Sequence, residues 1–133
     1  MSDAHLLTDL QYSIMRVLWD RGQASAADIC QALQAERGLA LSTVATLLSR
    51  LEKRGVVAHE TRARQYVYKP LVTESEAQRT MVSELTDRLF DGDVTALLSH
   101  LLSAREMSPG DLARVRAVIE SHEARKESPD DNA

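Results

Sequence analysis

The sequence predicts a mainly α-helical chain with one small β-hairpin, three helices before it and three after. Three observations predict this. Apolar residues recur at helical spacing over most of the chain and switch to a period of two only between Val56 and Lys69. Helix starts are marked by Ser or Thr followed three residues on by Gln, Asp or Glu, at Thr8, Ser25, Thr73 and Ser108. Aromatic residues make up only 4% of the chain. The core must therefore be mostly Leu, Val, Ile and Ala, which suits helices better than a β-sandwich.

The elements follow in order. Thr8 and Gln11 form a capping box ahead of Leu10, Ile14, Val17 and Leu18, with Tyr12, Met15 and Trp19 on a second face. A helix this apolar is buried on more than one side. Gly22 stands where a left-handed cap is needed. Ser25 and Asp28 open a second helix, with Ile29, Cys30 and Leu33 on its inner face and Gly38 beyond its end. Ser42 is expected to cap a third helix running to Arg54 and stopping at Gly55. Its residues Val44, Leu47, Leu48 and Leu51 make one narrow apolar stripe.

Val56–Glu60 and Gln65–Lys69 then look extended, joined by Thr61–Arg64. Tyr66 and Tyr68 share one strand face and Val67 takes the other. This turn has no Gly, which leaves its type open. Thr73 and Glu76 start a long helix through Met81, Val82, Leu85 and Leu89, and Gly92-Asp93 breaks it. Val94, Leu97, Leu98, Leu101 and Leu102 mark a fifth helix. Ser108-Pro109-Gly110-Asp111 opens a sixth, carried by Leu112, Val115, Val118 and Ile119. The expected division is residues 1–72, then a helical region 73–122, then a polar, frayed tail 123–133.

Composition limits the function. No apolar run approaches the roughly 18 residues of a membrane span, and no charged-then-apolar leader is present. A soluble, cytoplasmic protein is expected. Cys30 is the single cysteine of the chain, and it reads as a small core hydrophobe. The histidines His5, His59, His100 and His122 are scattered, with no ligand-like spacing to Cys or acids. There is no Gly-rich phosphate loop and no nucleophile elbow. No enzyme activity, cofactor or metal site is therefore expected.

The net charge of −4 points away from nucleic acid, but it is unevenly spread. Residues 1–72 carry nine Lys/Arg against seven Asp/Glu, and residues 73–133 carry seven against thirteen. Six of the basic residues fall between Arg50 and Lys69, with only Glu52 and Glu60 among them. A phosphate backbone responds to such a local field.

Three short helices followed by a hairpin is the winged helix-turn-helix plan, in which the third helix enters the major groove of DNA. At 100° per residue, Thr43, Thr46, Arg50 and Lys53 oppose the apolar stripe, with Ser42 at the leading end. Short hydroxyls and free N-terminal amides allow close approach to phosphates or base edges. Arg50 can serve guanine in a bidentate way or a phosphate. The alternative for Arg50, Lys53 and Arg54 is a solvated helix end favoured by the dipole. Arg62 and Arg64, on the turn between the strands, suit a wing touching phosphate or the minor groove. An ordinary exposed loop is the other reading. Lys69 is a weaker candidate at the strand end.

The helices after Thr73 have apolar faces but few large residues, and about sixty such residues seldom form a stable core alone. Pairing with a second copy would bury Leu85, Leu89, Leu97, Leu98, Leu101, Leu102, Leu112, Val115 and Ile119, with His100 as a further interface candidate. The alternative is that these helices fold back on the winged helix of their own chain. Other functional readings are a winged helix used for protein contact, or a regulator answering to a small molecule. The first would lack the polar-cationic face, and the second needs a pocket that an aromatic-poor region offers little to build.

The run Leu10–Trp19 resembles the first helix of the BlaI/MecI/CopY group of bacterial repressors. So do Ser42–Gly55 and the strand ending Tyr66-Val67-Tyr68-Lys69-Pro70. The resemblance covers the chain from about Leu7 to about Ser121. It implies a homodimer that binds a dyad-symmetric operator and blocks transcription, with interlocking C-terminal helices. In the β-lactam-responsive branch it also implies a membrane sensor protease and a cut at an Asn-Phe bond within the fifth helix. His100-Leu101 stands at that place here, which argues against cleavage by the same rule. The copper branch carries a pair of Cys-x-Cys motifs, which this chain lacks.

Overall fold

The computed structural model describes residues 6–104 and 107–127. His5 and the last six residues of the expected tail lie outside the described residues. The order is α1 (Asp9–Arg21), β1 (Ala24–Ser25), α2 (Ala26–Ala32), α3 (Leu41–Lys53), β2 (Val57–Arg62), β3 (Gln65–Pro70), α4 (Glu74–Phe90), α5 (Val94–Ala104) and α6 (Pro109–Glu127). The mainly α fold with a hairpin wing is as the sequence predicts.

Local chemistry sets the helix ends. The Thr8 hydroxyl accepts from the Gln11 amide at 3.2 Å, and the Gln11 side chain accepts from the Thr8 amide at 3.0 Å. Ser25 with Asp28, Thr73 with Glu76 and Ser108 with Asp111 repeat the reciprocal pattern. Each pair satisfies amides that the first turn of a helix otherwise leaves open. α3 ends in a Schellman motif. Gly55, at φ +80°, lets the Val56 amide reach the Leu51 carbonyl at 2.9 Å. Val56 and Leu51 are both fully buried, so the cap also directs the chain into the core.

Four features differ from the expectation. The N-cap of α3 is Ala40, which makes no side-chain cap, so Ser42 is the second helical residue and not its cap. The strands are longer than expected, ending at Arg62 and Pro70, which shortens the turn to Ala63–Arg64. A third strand joins the hairpin. β1 pairs antiparallel with β3, Ala24 opposite Tyr68 and Ser25 opposite Val67, giving the order β1-β3-β2. Two residues are too few to show alternation, and the pairing is made across some forty positions of sequence. Finally, α6 continues to Glu127, through the first residues of the expected tail.

By compactness the chain divides between Leu89 and Phe90. The first unit holds the core, where Ile14, Met15, Leu18, Ile29, Val44, Leu48, Leu51, Val56 and Val57 are at most 1% exposed. Tyr68 and Val72 close it from the sheet side. The functional division expected at residue 72 falls between β3 and α4. The second unit is α5 and α6. Asp93 accepts from the Ala96 amide at 3.1 Å and so caps α5, while Asp91 and Gly92 turn the chain with positive φ.

Candidate nucleic-acid interface

α3 is held by one face and open on the other. Val44, Leu48 and Leu51 are fully buried, and Leu47 is half-buried. Ser42, Thr43, Thr46, Arg50 and Lys53 are all exposed. The stripe and the polar face thus part as helical geometry requires. Because Ala40 has no side-chain oxygen, the first turn is closed only by its carbonyl, which accepts from Thr43 and Val44 at 3.1 Å each. The Leu41 and Ser42 amides belong to this first turn, at the positive end of the helix dipole, where an anion is favoured. The Ser42 hydroxyl, released from capping, is available on the same turn.

The cations of this helix separate into two groups. Among the described residues no ion pair engages Arg50 or Lys53. Arg54 turns inward: Nη1 donates to Gln11 Oε1 at 3.3 Å, and Nη2 donates to the Leu6 carbonyl. It ties the end of α3 to the start of α1.

The wing carries less free charge than its sequence suggests. Arg62 lies at the end of β2 and pairs with Glu60, its Nε donating at 2.8 Å. Arg64 is exposed at the tip and, among the described residues, has no ion pair. Ala63 and Arg64 take φ values of +50° and +65°. Two left-handed residues joining two strands are the signature of a type I′ turn, whose twist matches the hairpin. Without Gly or Asn there, nothing in the sequence announces it. Lys69 is exposed on β3, opposite Ala58.

Sequence reasoning missed two features. Ser49 and Ala45 are exposed on α3 beside the expected face; Ser49 follows Ser42 by seven residues, a spacing that could have identified it. Second, His59 is not an isolated surface residue. Its Nδ1 lies 2.8 Å from both carboxylate oxygens of Glu52, and its ring stacks on Tyr66 with centroids 3.9 Å apart. Tyr68 lies beside this cluster, 5.5 Å from the His59 ring. Burial pushes the Tyr68 phenol above its ordinary range, with the Glu52 charge and then Tyr66 adding to the effect.

The expected dimer residues retain exposed apolar surface. Leu89 is 64% exposed and Leu101 47%. Leu85, Leu102, Leu112 and Ile119 are also exposed, whereas Leu97, Leu98 and Val115 are half-buried. No residue of α5 is buried. His100 and Leu101 both lie exposed within this helix, with the His100 ring 5.8 Å from Phe90. Cys30 is half-buried, its thiol donating to the Leu39 carbonyl at 3.2 Å. Among the described residues no group of three His, Cys, Asp or Glu is arranged to hold a metal ion. No described helix is long and apolar enough to cross a membrane.

Comparison with known proteins is consistent with this geometry. A family model described as penicillinase repressor matches residues 7–121. The penicillinase repressor of Bacillus licheniformis is 22% identical over 120 residues, covering 90% of this chain and 94% of its own. The methicillin resistance regulatory protein MecI of Mammaliicoccus sciuri is 21% identical over 113 residues, covering 85% and 92%. Among solved structures, the DNA-binding domain of the repressor BlaI matches 57% of this chain and 93% of its own, at 26% identity and a TM-score of 0.51. The hsRosR-S4 complex structure shares the fold over 95% of this chain and 97% of its own, at 22% identity and a TM-score of 0.52.

Proposed function

The chain belongs to the penicillinase repressor family, and on that footing we propose that it binds a dyad-symmetric operator as a homodimer and blocks transcription there. The family is one of DNA-binding transcriptional repressors, not of enzymes. The observation that carries the reading is the exposed face of α3. Ser42, Thr43 and Thr46 offer short hydroxyls near free amides, and Arg50 and Lys53 follow without an ion-pair partner among the described residues. Arg64 at the wing tip adds a phosphate or minor-groove contact, and Arg62 adds one when it exchanges Glu60 for the duplex. A chromosomal operator implies a cytoplasmic location.

Dimerisation is supported by the uncovered apolar side chains of α4, α5 and α6, among them Leu85, Leu89, Leu101, Leu102, Leu112 and Ile119. Leaving such a surface in water costs about 25 cal/mol per Å2. A two-fold dimer covers it and presents two copies of α3 to half-sites about one helical turn apart, or a multiple of that. His100-Leu101, in place of Asn-Phe, weighs against extending this reading to induction by a membrane sensor protease. Cleavage between His100 and Leu101 would first require α5 to unwind, since the bond lies within regular helix.

The test is selection of duplexes from a random pool by the full chain, followed by titration of the selected duplex. Arg50→Ala should cost about 1–3 kcal/mol if it reads a base. Replacing Arg62 and Arg64 together should weaken all duplexes alike and lower the salt slope by about one per lost phosphate contact. Failure to enrich any duplex would remove the DNA-binding assignment. Leu101→Asp should sediment as a monomer; an intact dimer would remove the C-terminal interface.

A further inference from the structure

Tyr66 is 53% exposed, whereas Tyr68, two residues on and on the same face of β3, is 6% exposed. This face therefore runs from the core out past its edge and carries an aromatic ring into solvent. The ring is held: it stacks on His59 with 16° between the planes. His59 is in turn bound to Glu52, which belongs to α3. Two side chains, Glu52 and His59, thus link the third helix to the Tyr66 phenol on the wing. Fixing an exposed ring costs side-chain entropy, and the arrangement gains little burial for it. What it fixes is the position of a hydroxyl that donates to no described residue.

The helix side of this arrangement is shaped to match. Ala45, Ser49 and Glu52 succeed one another at steps of four and three, so they share the flank of α3 that carries the link to β2. Ala45 and Ser49 are short and exposed. On the DNA-binding reading above, on which this inference rests, α3 lies in the major groove and the wing reaches the adjacent minor groove. One sugar–phosphate strand then runs between them. We propose that α3 and the wing clamp that strand between them, with the Tyr66 hydroxyl donating to a phosphate and His59 and Glu52 as positioning residues. Glu52 would repel a phosphate if it stood alone. Held against His59, it fixes the wing to α3 instead.

The sign of one substitution separates this role from simple electrostatics. Removing a carboxylate from a DNA-facing surface should by itself tighten binding. If Glu52 positions the wing, Glu52→Ala should weaken binding to the selected duplex, while Glu52→Gln, which keeps an acceptor for His59, should bind as well as the parent or better. Tyr66→Phe keeps the stack and loses only the hydroxyl; it should weaken binding about tenfold at unchanged thermal stability. Tighter binding by Glu52→Ala, or parental affinity in Tyr66→Phe, would overturn the clamp. Arg50→Ala in the same titration keeps the two readings apart. If it weakens binding while Tyr66→Phe does not, only the clamp fails. If the parent enriches no duplex, both fail.

Discussion

The indole nitrogen of Trp19 donates to the main-chain carbonyl of Val72 at 2.9 Å, across 53 positions of sequence. Trp19 lies on α1, and Val72 is the buried residue between β3 and the cap of α4. The bond fixes where the chain leaves the sheet. Its partner is a carbonyl that has no ladder to join, and a half-buried orphan of this kind is costly. Trp19→Phe keeps most of the apolar contact and removes the donor. It should lower stability by about 1–3 kcal/mol in urea denaturation.

Arg54 should prove structural although it sits beside Lys53 in a basic run. Its guanidinium serves Gln11 and the Leu6 carbonyl. Arg54→Ala should lose about 1–3 kcal/mol of stability and leave the salt slope of DNA binding unchanged. A slope lowered by about one would assign it to a phosphate.

The wing turn should trade stability against binding. Ala63 pays for a φ of +50° that Gly adopts freely, so Ala63→Gly should stabilise the protein by up to about 1 kcal/mol. Arg64→Gly should gain similarly in thermal unfolding, yet bind DNA more weakly, because the same change removes the tip cation. Reading both quantities on both variants separates the backbone effect from the charge.

Tyr68 predicts an alkaline weakness. Its folded phenol titrates above its ordinary value of 10.0. The folded state thus holds the proton more tightly than the unfolded one. The contribution is intact below about pH 10 and is lost as pH rises through the raised value. Urea midpoints measured from about pH 9 to about pH 11 should fall less steeply for Tyr68→Phe than for the parent.

Ser108 caps α6 by accepting from the Asp111 amide at 3.1 Å. Ser108→Ala should cost about 1 kcal/mol of helix stability, seen as reduced far-ultraviolet ellipticity near the unfolding midpoint. Arg114 beside Asp111, and then Ser108, hold its carboxyl below the ordinary value of 3.8. A depressed acid stabilises above its ordinary value and loses that contribution as pH falls. The cap should therefore weaken only in strong acid.

Sequence alone determined the local features of this protein. The capping boxes at Thr8, Ser25, Thr73 and Ser108, the buried stripe of α3 and the outward set from Ser42 to Lys53 are each written within a few residues, because a helix fixes which side chains share a face. Tertiary structure decided what depends on distant partners. It paired β1 with β3, spent Arg54 on Gln11 and Leu6, set Glu60 against Arg62, and joined Glu52 to His59 and Tyr66. Even the start of α3 changed hands. Ser42 looked like a cap by its type, yet Ala40 holds that position, so the hydroxyl stays on the face that the helix turns outward. Periodicity tells which residues face away from the core. Only the packed fold tells which of their charges are already engaged, and for the basic stretch from Arg50 to Lys69 that leaves Arg50, Lys53, Arg64 and Lys69 without an ion pair among the described residues.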